Sequence, residues 1–483
     1  MDDKIRKDIL KKINELKKKG IDLYPSKVKR SCSIRKALDN FEKISESQKD
    51  IFLNGRVVAL RIIGKIAFVK ISDENEKIQA IFKEEITENY KLVNYITLGD
   101  IICVEGKLGY SQTGEKSLIA KSFNWLTKVL RPLPKEYYKI RDEKILATKR
   151  YLTTLLWPEK RRPFYIRAIV YRNLRKFLDR NGFIEVETPI LQTRYGGALA
   201  RPFKTYLNAL KLPLYLRIAP EIYLKKMIVG GFERIYEIGK DFRNEGVDKE
   251  HNPEFSMIEL YVAWKDVNWL IKFTQKIIKI ITKSIYPDLV FDYQGERIDL
   301  KIKWEIKDYV DILEENTGLN YFKNSLEDFK NFAIKNEIEF KPKIVTKAKL
   351  SDEIFKKIIR AKLIKPTFVI NIPKDLSPLA KSRKDNPQIT ERMQLYLCGL
   401  EIANGFSELN DPIEQKERFK EQKSLLKKGE IESHPYDETF IEALEYGLPP
   451  TAGLGIGLDR LVMILSNEKS IKDVIFFPFT KDL

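Results

Sequence analysis

Between Phe242 and Tyr261 the chain reads FRNEGVDKEHNPEFSMIELY, a span too polar for a core segment and too patterned for a surface loop. Arg243 offers a guanidinium fork, the group best shaped to stabilise phosphate charge through paired hydrogen bonds. Phe255 offers a flat ring against which a purine can lie. Glu245 and Glu259 can accept hydrogen bonds from amines or hold a magnesium ion. An ion-paired hairpin with no ligand would equally account for Arg243 and Glu245. A second stretch, GLEIANGFSELND, places Asn404, Phe406 and Glu408 at alternate positions, with Glu401 nearby. A third, PPTAGLGIGLDRLVMIL, runs from glycines into an apolar helix with Arg460 in its first turns. Its glycines permit close backbone approach. They form neither a dinucleotide fingerprint nor a phosphate-binding loop, because the spacing and the following Asp-Arg do not fit.

These residues need elements to hold them. ERIYEIGKDF and EFSMIELYVAW read as two strands joined by a loop containing Gly246 and Pro253. Strand side chains alternate, so Ile258, Leu260 and Val262 face a core, while Phe255, Met257, Glu259 and Tyr261 share the opposite face. The periodicity predicts a helix over about 162–180, stopped at Gly182, and a strand in FIEVETPIL broken by Pro189. Residues 51–130 hold five short β-rich runs separated by turn residues, which suggests a small OB-fold barrel with a nucleic-acid-binding face. Arg61, Phe68 and Gln79 supply a guanidinium, a ring and an amide there, although Phe68 taken alone is more often a core residue than a stacking platform. Residues 1–50 form a basic helical extension whose first helix carries Ile5, Ile9, Leu10, Ile13 and Leu16 at helical spacing. Residues 131–155 are a proline-punctuated linker, and 156–483 are one large mixed domain. Within it, about 300–364 reads as a lysine-rich helical insertion with no obvious chemistry.

The chain has 483 residues, 43% of them hydrophobic, enough for two or three domains with sizeable cores. Lys and Arg number 88 against 69 acidic residues. The net charge of +19 favours a polyanionic partner such as nucleic acid, and a generally lysine-rich composition also accounts for it. Cys32, Cys103 and Cys398 are far apart and the only histidines are His251 and His434, so neither a disulfide framework nor a zinc site is expected. No apolar run has membrane-spanning length, and a cytoplasmic protein with no membrane partner is expected.

Together the motifs resemble class II aminoacyl-tRNA synthetases of the lysine, aspartate and asparagine branch, most closely the lysyl-tRNA synthetases. GFIEVETPIL resembles the first class motif, FRNEG with HNPEFSMIELY the second, and GLGIGLDR the third; YGGALARPFKT and NGFSELND are close to lysine-specific wording. The resemblance implies an α+β chain. It joins an N-terminal all-β OB-fold barrel to a catalytic domain built on an antiparallel sheet flanked by helices. It implies that Arg243 contacts the α-phosphate of ATP and Arg460 the γ-phosphate, that Phe255 stacks on adenine, and that Glu245, His251, Asn252 and Gly457 complete the nucleotide site. Gly197, Glu221, Glu259, Tyr261, Asn404, Phe406 and Glu408 would line a lysine pocket, with Glu221 and Glu408 supplying acidic groups for its ammonium ends. Glu401 would hold magnesium. Gln394 stands where the family usually has a second carboxylate. Arg61, Phe68, Gln79 and Glu115 match positions that read the anticodon. The implied partners are ATP, L-lysine, lysine tRNA and a second copy of the chain, paired through the first motif. A relative that lysylates proteins would lack the barrel, and a non-catalytic relative would have lost Arg243, Arg460 or the pocket acids.

Overall fold

The computed structural model of the protein describes residues 3–74, 76–133, 147–340, 345–427 and 435–480. Of the expected linker 131–155, residues 134–146 lie outside the described residues, as does His434, and its last part is not linker but the helix Arg150–Leu156. Two units form, Met1–Arg141 and Asp142–Leu483.

In the first unit β1 (Ile51–Ile63), β2 (Ile66–Ser72), β3 (Lys77–Lys83), β4 (Ile101–Tyr110) and β5 (Lys116–Thr127) pair in the ring β1-β2-β3-β5-β4. Alternation along β2 buries Ala67, Val69 and Ile71 and leaves Phe68 and Lys70 outward. The helical extension expected as a separate segment at 1–50 is part of this unit. Ile9, Ile13 and Leu16 of the helix Asp3–Lys18, with Ile34, Ala37 and Phe41 from two short helices, share one apolar core with the strands. Ile5 and Leu10, placed on the same stripe by spacing alone, stay exposed.

The second unit contains β6 (Ile184–Glu185), β7 (Leu191–Gln192), β8 (Lys204–Leu207), β9 (Leu212–Leu216), β10 (Arg234–Phe242) and β11 (Glu254–Ala263). It continues with β12 (Val290–Tyr293), β13 (Glu296–Asp299), β14 (Glu305–Asp308), β15 (Thr367–Ile370), β16 (Arg392–Leu397), β17 (Leu400–Ser407) and β18 (Thr451–Gly457). Eight of these make the main sheet, ordered β14-β15-β16-β17-β18-β11-β10-β6. The sheet is mixed, which corrects the expected antiparallel one. Its two edge strands, β14 and β6, run parallel to their neighbours. The physical reason is the connection: β14 reaches β15 only after several helices, and a long crossover joins parallel strands where a tight turn joins antiparallel ones. FIEVETPIL is interrupted around Pro189, as its sequence predicts: β6 and β7 flank the proline and belong to different sheets.

One face of the main sheet is closed by helices. Ile258, Leu260 and Val262 of β11 pack with Val170, Leu174 and Leu178 of the helix Arg162–Arg180, and with Leu270, Ile277 and Ile281 of the helix Val267–Lys283. Each such side chain contributes roughly 1.5–3 kcal/mol on burial. The first helix ends where Gly182 adopts φ +76°, and the second starts at Asp266, whose side chain accepts from the Trp269 amide. The region 300–364 is more than an insertion without chemistry. Tyr309, Leu313, Phe329, Ile354 and Phe355 make a core of their own with Val369 and Tyr396. The same region contributes β14 to the sheet.

Candidate functional site

The other face of β11 opens onto two adjoining cavities. The smaller, about 170 Å³, is lined by Arg243, Glu245, His251, Asn252, Phe255 and Arg460, with Gly457 at its edge. The larger, about 310 Å³, is bounded by Gly197, Glu221, Glu259, Tyr261, Asn404 and Phe406. Arg243, Met257, Glu401, Asn404 and Gly455 belong to both walls and mark the junction. Strand alternation explains why Phe255, Met257, Glu259 and Tyr261 appear here together.

Glu401 reaches this junction through an irregularity. β16 and β17 pair Leu395 with Ala403 but Tyr396 with Glu401, so one residue of β17 is bulged. Without that bulge Glu401 and Asn404, an odd number of residues apart, would point to opposite faces. The floor between the cavities is β18. Its glycine run is a strand, and its lack of side chains makes the space: a Cβ on Gly453 would lie 2.1 Å from Glu408 Oε1, and one on Gly455 2.9 Å from Met257 Cε. Gly197 needs its glycine twice over, with φ +87° and a would-be Cβ 2.8 Å from that of Glu221.

In the smaller cavity the Arg243 guanidinium lies 5.0 Å from the Phe255 ring centroid, within cation–π range. Arg460 donates from Nη1 to the Glu401 carbonyl at 3.0 Å, and its Nη2 lies 3.1 Å from His251 Nε2. That contact makes Nε2 the acceptor, so the proton sits on Nδ1, which faces Asp248 at 2.9 Å. Asn252 is buried and donates to the Glu254 carbonyl at 2.6 Å. Glu250 pairs with Arg360 at 2.9 Å.

The larger cavity has an acidic end. Glu259 accepts from the Tyr261 hydroxyl at 3.1 Å. Burial pushes its carboxyl well up from the usual range, and the neighbouring Asp241 and Glu221 add to the rise. Glu408, expected to line the pocket, abuts its floor: a Cβ on the wall residue Gly453 would lie 2.1 Å from Glu408 Oε1. It is 1% exposed, and its carboxylate is 2.5 Å from Lys225 Nζ. Asn404 holds its amide oxygen toward Arg392, whose Nε donates at 2.9 Å.

Several wall residues were not singled out from sequence. Arg392, fixed by the Leu376 carbonyl and Ser377, sits on β16 among apolar residues. Asp352 and Lys356, paired at 2.7 Å, come from the presumed insertion. Lys225, which does not line the cavity, was not singled out either; its signal in the sequence is the i,i+4 spacing from Glu221.

Among the described residues no group of three His, Cys, Asp or Glu side chains converges as a metal cage. Gln394 lies on the larger wall, its amide oxygen accepting from the Tyr396 hydroxyl at 3.2 Å, and Asp352 is tied to Lys356. Glu401 is therefore the carboxylate at the junction. It fits a magnesium ion that takes its remaining ligands from water and a bound phosphate, the arrangement this ion commonly adopts.

In the first unit Arg61 and Phe68 stand opposite each other across β1 and β2, and Lys70 stands opposite Gln79 across β2 and β3. Gln79 donates to Ser117 Oγ at 3.1 Å, and Glu115 pairs with Lys70 at 3.1 Å. The four residues expected to read a nucleic acid are thus neighbours on the outer surface of the strand ring. Among the described residues no helix is long and apolar enough to cross a membrane.

Comparison with known proteins adds the following. Residues 142–481 match the family model of tRNA synthetases class II (D, K and N), and residues 51–126 match that of the OB-fold nucleic acid binding domain. The chain is 42% identical over 475 residues to the lysine–tRNA ligase of Carboxydothermus hydrogenoformans, covering 98% of this chain and 97% of that one. It is 46% identical over 438 residues to the lysine–tRNA ligase of Aquifex aeolicus, covering 90% and 73%. With the lysine–tRNA ligase of Bacillus subtilis it shares 40% identity over 482 residues, covering 98% and 96%.

Proposed function

We propose, from the premise that this chain belongs to the class II lysyl-tRNA synthetases and so activates lysine with ATP before charging tRNA, that the smaller cavity receives ATP and the larger one lysine. The observation that carries this division is the shared wall. The reaction requires the amino-acid carboxylate to meet the α-phosphorus, and Arg243, among the described residues the one cation common to both cavities, stands where they join.

On this reading adenine lies against Phe255, with Asn252 and Glu245 beside it. Arg460, held by the Glu401 carbonyl and oriented against His251, meets the far end of the triphosphate. Lysine enters the larger cavity. Its side-chain ammonium points to the buried acidic end formed by Glu221, Glu259 and Tyr261, and its α-amino group stays near the junction. A neutral competitor of similar size would leave a buried carboxylate unpaired, a cost of about 1–3 kcal/mol or more. Magnesium, held by Glu401 when the nucleotide is bound, would neutralise part of the triphosphate charge. The chain's own residues then act by position and charge. Arg243 stabilises the negative charge that grows on the α-phosphate as the lysine carboxylate attacks and pyrophosphate leaves. The terminal ribose 3′-hydroxyl of tRNA then attacks the acyl carbon of lysyl-adenylate, the anhydride bond breaks and AMP leaves, and no protein nucleophile is required.

The strand ring of the first unit is proposed as the anticodon reader, through Arg61, Phe68, Gln79 and Glu115. A homodimer is proposed through the first class motif, where Ile184, Ile190 and Leu191 are about half exposed and would gain from cover. The proposed domain limits are an N-terminal unit that takes residues 1–50 into the core of the strand ring and a catalytic unit from about residue 142, with the region 300–364 given a part in the catalytic pocket.

Phe68→Ala tests the anticodon assignment. Loss of a stacked base costs about 1–3 kcal/mol, so charging of tRNA should fall by that equivalent at limiting tRNA. Lysine-dependent ATP–pyrophosphate exchange without tRNA should be unchanged. Equal losses in the two assays would make Phe68 a core residue only.

A further inference from the structure

The smaller cavity carries a carboxylate that its proposed occupant should not tolerate. Glu250 lines it, one residue before His251, on the loop between β10 and β11. A triphosphate bears several negative charges, so an unmatched carboxylate on the wall would oppose its binding. The other acids of this wall have partners or parts of their own: Asp459 is paired with Arg167, Glu401 is the proposed magnesium ligand and Glu245 lies beside the adenine. Glu250 is matched from outside the cavity. Arg360 Nη2 lies 3.1 Å from Glu250 Oε1 and 2.9 Å from Oε2, and the two side chains are 22% and 29% exposed. One guanidinium nitrogen serves both oxygens, so charge rather than the forked geometry carries the pair.

Arg360 comes from a segment fixed to the main sheet. It follows a π-helical turn, Phe355–Ile359, a form that recurs at functional sites, and opens a short 3₁₀ turn, Arg360–Lys362. Phe355, Ile359 and Leu363 are buried in the core of the region 300–364. The carbonyls of Leu363 and Ile364 accept from the amides of Gly399 and Cys398, between β16 and β17. The loop that bears Glu250 is built differently. Asp248 gathers the amides of Glu250 and His251 at 2.7 and 2.8 Å, and the His251 ring, into one compact turn. That turn meets its surroundings through the Lys249 carbonyl, which accepts from the Ile471 amide at 2.8 Å, through His251 against Arg460, and through Glu250 on Arg360.

We infer that Arg360 is a positioning residue for ATP, acting through Glu250: it cancels the Glu250 charge and holds the turn that sets His251 against Arg460. The inference rests on the smaller cavity being the nucleotide site. Without Arg360 the carboxylate faces the triphosphate unmatched, and the turn loses one of its fastenings. The region 300–364 thereby serves both cavities, with Asp352 and Lys356 on the wall of the larger one and Arg360, four residues on, behind the wall of the smaller.

The test measures the ATP and lysine KM in pyrophosphate exchange at saturating magnesium. Arg360→Gln should raise the ATP KM about tenfold and leave the lysine KM within about twofold, because the unmasked charge faces only the nucleotide. Arg360→Lys keeps a cation and should recover most of the loss. Glu250→Gln should bind ATP at least as well as the wild type, since the charge that needed cancelling is gone. In that background Arg360→Gln should raise the ATP KM by less than about twofold. An equal rise in both backgrounds, or a wild-type ATP KM for Arg360→Gln, would overturn the inference. Should Arg360→Gln fail to fold, the reversed pair Glu250→Arg with Arg360→Glu decides the matter. An ATP KM near that of the wild type supports the inference, and one as high as for Arg360→Glu alone overturns it. Phe255→Ala separates the inference from the reading beneath it. An ATP KM that Phe255→Ala leaves unmoved would mean that the smaller cavity is not the nucleotide site. A rise with Phe255→Ala and none with Arg360→Gln would leave the site standing and remove only the role of Arg360.

Discussion

Replacing Arg243 with alanine should slow lysyl-adenylate formation by about 10²–10³-fold, the loss typical of removing one preorganised donor from a site where charge develops. Its position supports an effect of that size. Arg243 lies on the wall common to both cavities, its backbone amide tied to the Pro253 carbonyl at 2.9 Å and its guanidinium over Phe255. β10 and β11 are paired along nine residue pairs ending at Phe242 and Glu254, so the arginine leaves a rigid hairpin at a fixed point. The loss should fall mainly on kcat, because the interaction strengthens as negative charge builds on the α-phosphate. Single-turnover formation of lysyl-adenylate measures it. An effect confined to the ATP KM would assign Arg243 to ground-state binding.

The second large effect is expected at Glu401. A bound divalent ion stabilises transferring phosphates by several kcal/mol, and each 1.36 kcal/mol is tenfold in rate, so Glu401→Gln should lower exchange on the order of a hundredfold or more. The variant keeps its backbone carbonyl, which accepts from Arg460, so the fold around it should survive. Gln394 supplies the companion measurement. It faces Asn404 across the β16–β17 pair and lies on the same cavity wall as Glu401. Gln394→Glu should shift the magnesium titration of exchange to lower concentration, since a carboxylate binds this ion better than a neutral amide. Superimposable titrations for the wild type and Gln394→Glu would mean that Gln394 only packs the strand and bonds Tyr396.

Much of this site was legible where chemistry followed a simple period. The alternation Phe255, Met257, Glu259, Tyr261 placed four side chains on the wall that the structure gives them, and the same period aligned Asn404 with Phe406. Legibility failed where tertiary contacts decided. The bulge that turns Glu401 into the cavity has no signature in LEIANGFS. Glu408 continues the alternation of Asn404 and Phe406, yet Lys225 claims it from another helix, a contact made across 183 residues of chain. Asp352 and Lys356 lie in the region 300–364, which reads as an insertion without obvious chemistry until the fold brings it to the pocket. In the first unit, spacing located the five strands. It could not show that the N-terminal helix completes their core, because an apolar stripe does not name its partner.

The central claim is that two adjoining cavities divide the nucleotide from the amino acid at Arg243. A crystal structure with a non-hydrolysable lysyl-adenylate analogue tests this most directly. The account predicts the adenine ring against Phe255 in the smaller cavity, the phosphate-like linkage within hydrogen-bond reach of Arg243, and the lysyl ammonium beside Glu221 and Tyr261 in the larger one. An analogue whose base occupies the larger cavity, or whose linkage lies away from Arg243, would contradict it.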